Sequence, residues 1–331
     1  MEPTRIDPLP PPPGVIHSIR AGFDAISAHL AAILLPLILD LFFWIGPRLS
    51  IESLFLAIQS EMISIWRAGG VSAADIQTIM DGYQNSIPQF NLFWLLRTLP
   101  VGISSLMFAR GQLQSPLGSP LTWQVTGGSL IPWMALLITV GWVGGGLYFR
   151  WVARSSIPEV QDQIPHSLRA VTQTVILSIL WGALTLAIGL PLIALIAILF
   201  QLNSLIAQIV ILAASFLSMW LIVPVFFWPH GIFIKNQNFL SAILSSVQMA
   251  RFTLPTSSMF VLTVFLLGVG LNYVWSIPSP DSWMTLVGIL GHAFITTSLL
   301  AASFIYYRNM SAWLQTVMER LKANHTVTRQ A

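Results

Sequence analysis

The chain has 331 residues, of which 55% are hydrophobic and only 8% are charged. Soluble domains carry about a quarter charged residues, so this composition excludes an ordinary soluble protein and indicates an integral membrane protein. The net charge of +3 comes without a dense run of Lys and Arg, so nucleic acid is not an expected partner. The absence of cysteine excludes disulfides and thiolate metal sites, and no motif indicates a cofactor.

The chain begins with a proline-rich stretch, residues 1–13, which we expect to be an extended, disordered tail. Residues 14–29 place apolar side chains at helical spacing opposite polar ones, which predicts an amphipathic helix at the membrane interface. A helix packed in a soluble core would show the same pattern. No signal peptide is evident, so we expect residues 30–47 to stay as an uncleaved anchor.

Six runs are apolar and long enough to cross a bilayer, which takes roughly 20 apolar residues as a helix. Apart from one aspartate, they contain no charged residue. The sequence therefore predicts an all-α fold, a polytopic transmembrane helical bundle with interfacial amphipathic helices at about 156–172, 233–252 and 310–321. Residues 14–331 would form a single membrane domain. The six predicted spans are about 30–47, 129–149, 174–200, 205–228, 257–277 and 284–307.

The basic residues predict the orientation of the bundle. With the N-terminus in the cytoplasm, only four of the 15 Lys and Arg residues fall outside, namely Arg48, Arg67, Arg97 and Arg110. The positive-inside rule favours this arrangement, with both termini cytoplasmic.

A long insert, residues 49–128, lies on the predicted outer face. Its apolar spacing predicts a helix from about residue 51, and Ser72 and Asp75 resemble the capping box of a second. The stretch 92–109 is apolar and long enough to span, but Arg97 lies within it and Pro100 interrupts it. Because a span here would move most basic residues outside, we predict an interfacial or partly inserted helix.

Asp40 is the acidic residue within the predicted spans, and such a side chain costs about 2.5–3.5 kcal/mol on insertion scales. It needs a partner in the bundle. Counting about 1.5 Å per residue from the outer ends of their spans, Asp40 and His292 both lie roughly 12 Å inward. An Asp–His pair at matched depth could relay protons or bind an ion, or could be a structural hydrogen-bonded pair. Asp40 could instead reach Arg97 or Arg48. Asn272 completes the candidate buried polar site.

Other candidate residues have mainly structural interpretations. Gly141 and Gly145 fit the small-xxx-small pattern of close helix packing. Arg97 is a candidate contact for a lipid phosphate, although extension of its side chain to the interface explains it as well. The sequence contains no catalytic motif and no metal-ligand spacing among its histidines, so we predict neither an enzyme nor a metal site.

The tract Ile222–Phe252, in which a proline-ended span leads into an amphipathic helix, and the opening Arg20–Asp40 carry a resemblance in layout. The chain resembles the membrane domain of glycerophosphoryl diester phosphodiesterases and related bacterial six-span proteins. In that family a separate soluble domain is catalytic, so the resemblance implies a membrane module without catalysis of its own, in a bacterial cytoplasmic membrane. We expect a scaffold or accessory module that contacts lipid or a membrane-protein partner. The alternative is a permease for a small solute or lipid, with Asp40 and His292 at its site.

Overall fold

A computed structural model describes residues 10–110 and 114–330, and this part of the chain is almost entirely helical. Two short strands, β1 (Arg48–Ser50) and β2 (Thr122–Gln124), pair in parallel. The helices are α1 Val15–Ala28, α2 Leu34–Ile45, α3 Glu52–Ala68, α4 Ala73–Ser86, α5 Gly127–Ser156, α6 Ser167–Leu202, α7 Ser204–Phe227, α8 His230–Lys235, α9 Phe239–Trp275 and α10 Thr285–Gln330.

The predicted all-α membrane bundle is confirmed. Within the described ranges, five helical stretches are long and apolar enough to cross a membrane: α5, α6, α7 with α8, α9, and α10. The predicted first span corresponds to a short 3-10 turn, Leu30–Ile33, followed by α2. Together with α1 it forms a pair bent by 98°, which brings the number of spans to six if the pair counts as one.

The first helix lies along the last one. A Cβ on Gly22 would stand 2.5 Å from the backbone of Ser298 and Ala302, so α1 and α10 are in direct backbone contact there. Nearer the start of the chain, the Trp313 indole donates a hydrogen bond of 2.8 Å to the carbonyl of Pro10. The exposed residues of α1 are mainly polar, among them Arg20 and Asp24, although Ile16 is 83% exposed as well. The predicted amphipathic helix is therefore present, with its apolar face against α10.

Two of the other amphipathic segments adjoin apolar helices directly. A kink at the non-helical residue Thr253, two positions before Pro255, separates residues 239–252 from the apolar part of α9, so a distinct helix precedes that span. Residues 310–321 are part of α10 without a break. The prediction of a separate helix at 310–321 is wrong, because an amphipathic pattern changes the exposed surface of a helix without ending it.

The insert forms a small cap with its own core. Phe55 on α3 packs with Ile76 and Met80 on α4, and Ser72 caps α4 by accepting from the Asp75 amide at 3.1 Å. The Asn91 side chain accepts from the Leu49 amide at 3.0 Å, which ties the insert to β1.

The stretch 92–109 is not a helix, so that prediction is wrong. It begins with a 3-10 turn, Leu92–Leu96, continues without regular structure, and ends in a second turn, Met107–Arg110. Pro100 has no amide hydrogen for a helix, and a Cβ on Gly102 would collide with the Thr98 carbonyl. Residues 96–107, which we name the re-entrant loop, contact α5 as far as Gly145. Gly145 is about 27 Å along α5 from Gly127.

The contact between α1 and α10 gives a first prediction. Gly22→Ala should lower the free energy of unfolding by about 1–3 kcal/mol, because the new methyl meets backbone atoms that cannot move aside. Gly82→Ala in α4 is the control, since a Cβ there meets nothing within 4 Å. Thermal unfolding of both variants in detergent, followed by tryptophan fluorescence, measures the difference. Equal midpoints would contradict close packing of α1 on α10.

Candidate functional site

The side chain of Asp40 holds the re-entrant loop against α2. Asp40 is fully buried, and its two carboxylate oxygens accept three hydrogen bonds from consecutive residues of the loop. The Ser105 hydroxyl donates at 2.5 Å, the Leu106 amide at 3.1 Å and the Met107 amide at 3.2 Å. Three donors directed at one carboxyl group suit its ionised form, which only accepts.

Ser105 connects this contact to the turn that follows. Its Oγ donates to Asp40 and accepts from the Phe108 amide at 3.1 Å. The amides of residues 106–108, which open the turn Met107–Arg110, therefore all have partners. Unpaired amides at membrane depth would be costly, and irregular backbone is tolerated there where protein surrounds and pairs it.

The structure brings Asp40, His292 and Asn272 together. His292 is buried on α10, and its Nδ1 lies 2.5 Å from the side-chain oxygen of Asn272 on α9. With that oxygen as the acceptor, Nδ1 carries the hydrogen. The Nε2 atom lies 4.0 Å from Asp40 Oδ2, which is too long for a hydrogen bond. The three residues thus link α2, α9 and α10 in one buried polar cluster, in which Asp40 bonds the loop and His292 bonds Asn272.

Gly141 and Gly145 pack against the re-entrant loop, whereas the sequence pattern predicted a neighbouring helix. A Cβ on Gly141 would lie 2.6 Å from the Leu96 carbonyl oxygen, and one on Gly145 would lie 2.8 Å from that of Val101. The adjacent Gly146 does face a helix, since Thr174 of α6 lies 3.0 Å from its Cβ position. Small residues allow any backbone to approach closely, so the pattern does not specify what approaches.

Two arginines fix the ends of the loop region. Arg97 is exposed, and its guanidinium lies 4.4 Å from the centre of the Phe108 ring. Its role as a lipid-phosphate contact stays a prediction. Arg110 donates to the carbonyls of Ser276 and Pro278 in the connection between α9 and α10. Partial burial lowers the pKa of the Arg110 guanidinium, which nevertheless stays charged because the ordinary pKa of arginine is far above neutrality.

A cavity of about 410 Å³ lies on the other side of the re-entrant loop. Its walls come from the loop, α5, α6, the α7–α8 region, α9 and α10. His230 lines it and is only 2% exposed, with its Nε2 atom 2.7 Å from the Ser303 hydroxyl. Asp40, His292 and Asn272 are not among the residues that line this cavity.

The sequence did not single out His230, Ser303 or Ser105. His230 follows a proline at the end of an apolar run, which resembles a membrane boundary, and only the fold shows that Phe226 and Phe304 cover its ring. Among the described residues, no three His, Asp or Glu side chains are grouped as a metal ion would require.

The hydrogen bonds of Asp40 predict a graded effect of substitution. Asp40→Leu leaves three buried donors unpaired and should cost about 3 kcal/mol or more, at about 1–3 kcal/mol for each lost partner. Asp40→Asn keeps one acceptor oxygen but turns an NH₂ group toward the donors, so we expect an intermediate loss of about 1–3 kcal/mol. Hydrogen exchange of residues 104–108 should increase in the same order. Unchanged exchange would contradict the role of Asp40.

The glycines of α5 give an independent test of the loop. Gly141→Ala should displace the Leu96 carbonyl and destabilise the protein by about 1–3 kcal/mol. Gly144→Ala is the matched control on the same helix, because only the Ile103 side chain lies near its Cβ, at 3.8 Å. That substitution should be neutral or stabilising, since alanine is the better helix former. Protease digestion of the insert, together with thermal unfolding, distinguishes the two variants. Equal effects would contradict a loop seated on Gly141.

Comparison with known protein families, curated proteins and solved structures found no match to the chain. The resemblance in layout to the membrane domain of glycerophosphoryl diester phosphodiesterases therefore stays a prediction.

Proposed function

We propose that the protein is a non-enzymatic scaffold or accessory module of a membrane, acting through contacts with lipid and with partner membrane proteins. The observation that carries this proposal is the use of Asp40. Its carboxylate accepts three hydrogen bonds that hold the re-entrant loop, and the residue is fully buried. A group that exchanged protons or ions with a pathway would need access to that pathway.

The hairpin of α6 and α7 offers a surface for such contacts. Between residues 183 and 222 most of the described side chains are exposed, a few are half-buried, and of those described only Ala207 is buried. The exposed side chains are mainly Leu, Ile and Phe, for example Ile188 at 59% and Ile198 at 56% exposure. An apolar hairpin that projects from its own bundle can contact lipid or the spans of a partner at little cost, because it displaces only lipid tails.

The insert offers a second surface at the end of the bundle. On α3, Leu56, Ile58 and Ile65 are exposed although they are apolar. Exposed apolar residues grouped on one element are typical of contacts with proteins or membranes. The insert is tied to β1 through Asn91, and Arg48 donates to the Gln89 carbonyl at 2.6 Å, so this surface has a fixed position on the bundle.

We place the protein in a bacterial cytoplasmic membrane with both termini in the cytoplasm. The contact between Trp313 and Pro10 supports the same side for the start of α1 and the C-terminal half of α10. Arg48, Arg67, Arg97 and Arg110 all belong to the insert or its edge, at the other end of the bundle. The division of basic residues then follows the positive-inside rule.

A permease for a small solute or a lipid is the second candidate. The observation that favours it is the cavity of about 410 Å³, which shares the re-entrant loop as a wall with the Asp40 cluster. Movement of the loop would join the cavity to Asp40 and His292. In the structure as it stands, the hydrogen bonds to Asp40 keep the two apart.

Photocrosslinking in native membranes tests the scaffold proposal. A benzophenone side chain at Ile188 or Ile198 should give a discrete protein adduct of constant mass. The same group at Leu262 on α9, which is also 55% exposed, is the matched control and should give mainly lipid adducts. Absence of a protein adduct from the hairpin and from Ile65 would contradict the proposal. A proton flux in proteoliposomes that Asp40→Asn abolishes in folded protein would establish the permease instead.

A further inference from the structure

The cavity beside the re-entrant loop has the composition of a site for a neutral lipid. Its walls are mostly apolar, and none of the described residues that line it is Asp, Glu, Lys or Arg. A volume of about 410 Å³ lies in the range of sites for small molecules, about 300–1,000 Å³. An ion or a charged headgroup would find no counter-charge there, which excludes both as occupants.

The cavity opens to the side of the bundle. Of its lining residues, Leu99 on the loop is exposed at the protein surface and Gly268 on α9 is half-buried. Both lie among helices that are apolar enough to cross a membrane, and we infer from this that hydrocarbon borders the opening. The occupant can therefore enter directly from the bilayer.

The two hydroxyl groups of α10 that line the cavity, those of Thr296 and Ser303, favour a hydrogen-bond donor at this side of it. Thr296 donates its hydrogen to the His292 carbonyl at 2.8 Å. The Ser303 hydroxyl oxygen lies 2.7 Å from the Leu300 carbonyl oxygen and 2.7 Å from His230 Nε2. Its one hydrogen is donated to one of these two atoms. Because each hydroxyl has only one hydrogen, both offer the cavity nothing but acceptor lone pairs.

The imidazole of His230 adds to this polar end. Its Nδ1 atom is buried near the carbonyls of Phe226 and Phe227 but makes no hydrogen bond of ordinary geometry. Thr296 lies about 10 Å from Ser303 along α10, and Leu299 and Leu300 line the cavity between them. A chain-like molecule with a hydroxyl group at one end fits this shape and this chemistry.

We propose that the cavity binds one chain of a neutral, hydroxyl-bearing lipid from the surrounding bilayer, with its hydroxyl group at Ser303, beside His230. The groove between α7 and α9 is an apolar site on the same protein with which binding to the cavity can be compared. It is larger, about 700 Å³, but Ser258 supplies the only hydroxyl among the described residues that line it. A plain hydrocarbon chain would bind both the cavity and the groove, whereas a hydroxyl-bearing chain would prefer the cavity.

The test uses the full-length protein in nanodiscs and a long-chain fatty alcohol that carries a photoreactive diazirine in its chain. Peptide mapping should place the label on residues 99–104 and 225–230. Unlabelled alcohol should displace the probe at concentrations about three- to tenfold lower than its methyl ether, which lacks the donor hydrogen. Label confined to Phe216, Met259 and their neighbours in the groove, or equal displacement by alcohol and ether, would overturn the proposal.

Two glycines of α9 provide matched variants. Gly268→Leu should fill the mouth of the cavity and abolish labelling of its walls, while Gly270→Leu should leave labelling intact. A Cβ meets nothing within 4 Å at either position, so both variants should fold, and only Gly268 lines the cavity. Equal labelling of the two variants would overturn the proposal.

Ser303→Ala tests the polar wall separately. It should remove the preference for the alcohol over the ether while the hydrocarbon chain still binds. If the preference survived in this variant, the hydroxyl group would not be at Ser303, and the proposed orientation would be wrong.

Discussion

The structure depends on the hydrogen bonds between the buried carboxylate of Asp40 and the re-entrant loop. Asp40 would be costly in hydrocarbon, and so would a loop with unpaired amides. Each satisfies the other, because the loop supplies donors from Ser105, Leu106 and Met107 while Asp40 supplies the acceptor oxygens. Removal of either partner would leave the other buried and unpaired, and such a loss costs more than the hydrogen bonds contribute on balance. This reciprocity explains how a non-helical segment can lie between membrane helices.

The glycines of α5 make room for the same loop. Side chains at Gly141 and Gly145 would collide with the carbonyls of Leu96 and Val101, so glycine at both positions lets the loop approach this face of α5 closely. Just after the loop, Arg110 donates hydrogen bonds to the carbonyls of Ser276 and Pro278 between α9 and α10. The loop is thus fixed by a carboxylate, by close packing and by an arginine, on three different elements. The loop therefore occupies a place between helices of the bundle, as a helix would, but its backbone amides bond a side chain of another element.

The sequence predicted the helices well because hydrophobic runs and their lengths determine them. It also indicated equal depth for Asp40 and His292, since the rise of a helix converts residue number into distance. It could not identify the partners of Asp40, because two of the three are backbone amides, which every residue except proline carries. For residues 92–109, composition favoured a helix, while Pro100 and Gly102 prevented one. The average hydrophobicity of a sequence window does not register the effect of single residues such as these.

The position of the re-entrant loop connects the buried polar cluster with the apolar cavity. One side of the loop bonds Asp40 through Ser105, and the other lines the cavity through Leu99, Pro100 and Ser104. The hydrogen bonds to Asp40 therefore also fix the wall against which the proposed lipid chain would lie. Release of the loop from Asp40 would therefore change the polar cluster and the cavity wall together. We infer that the contact between Asp40 and the loop holds this wall of the cavity in place.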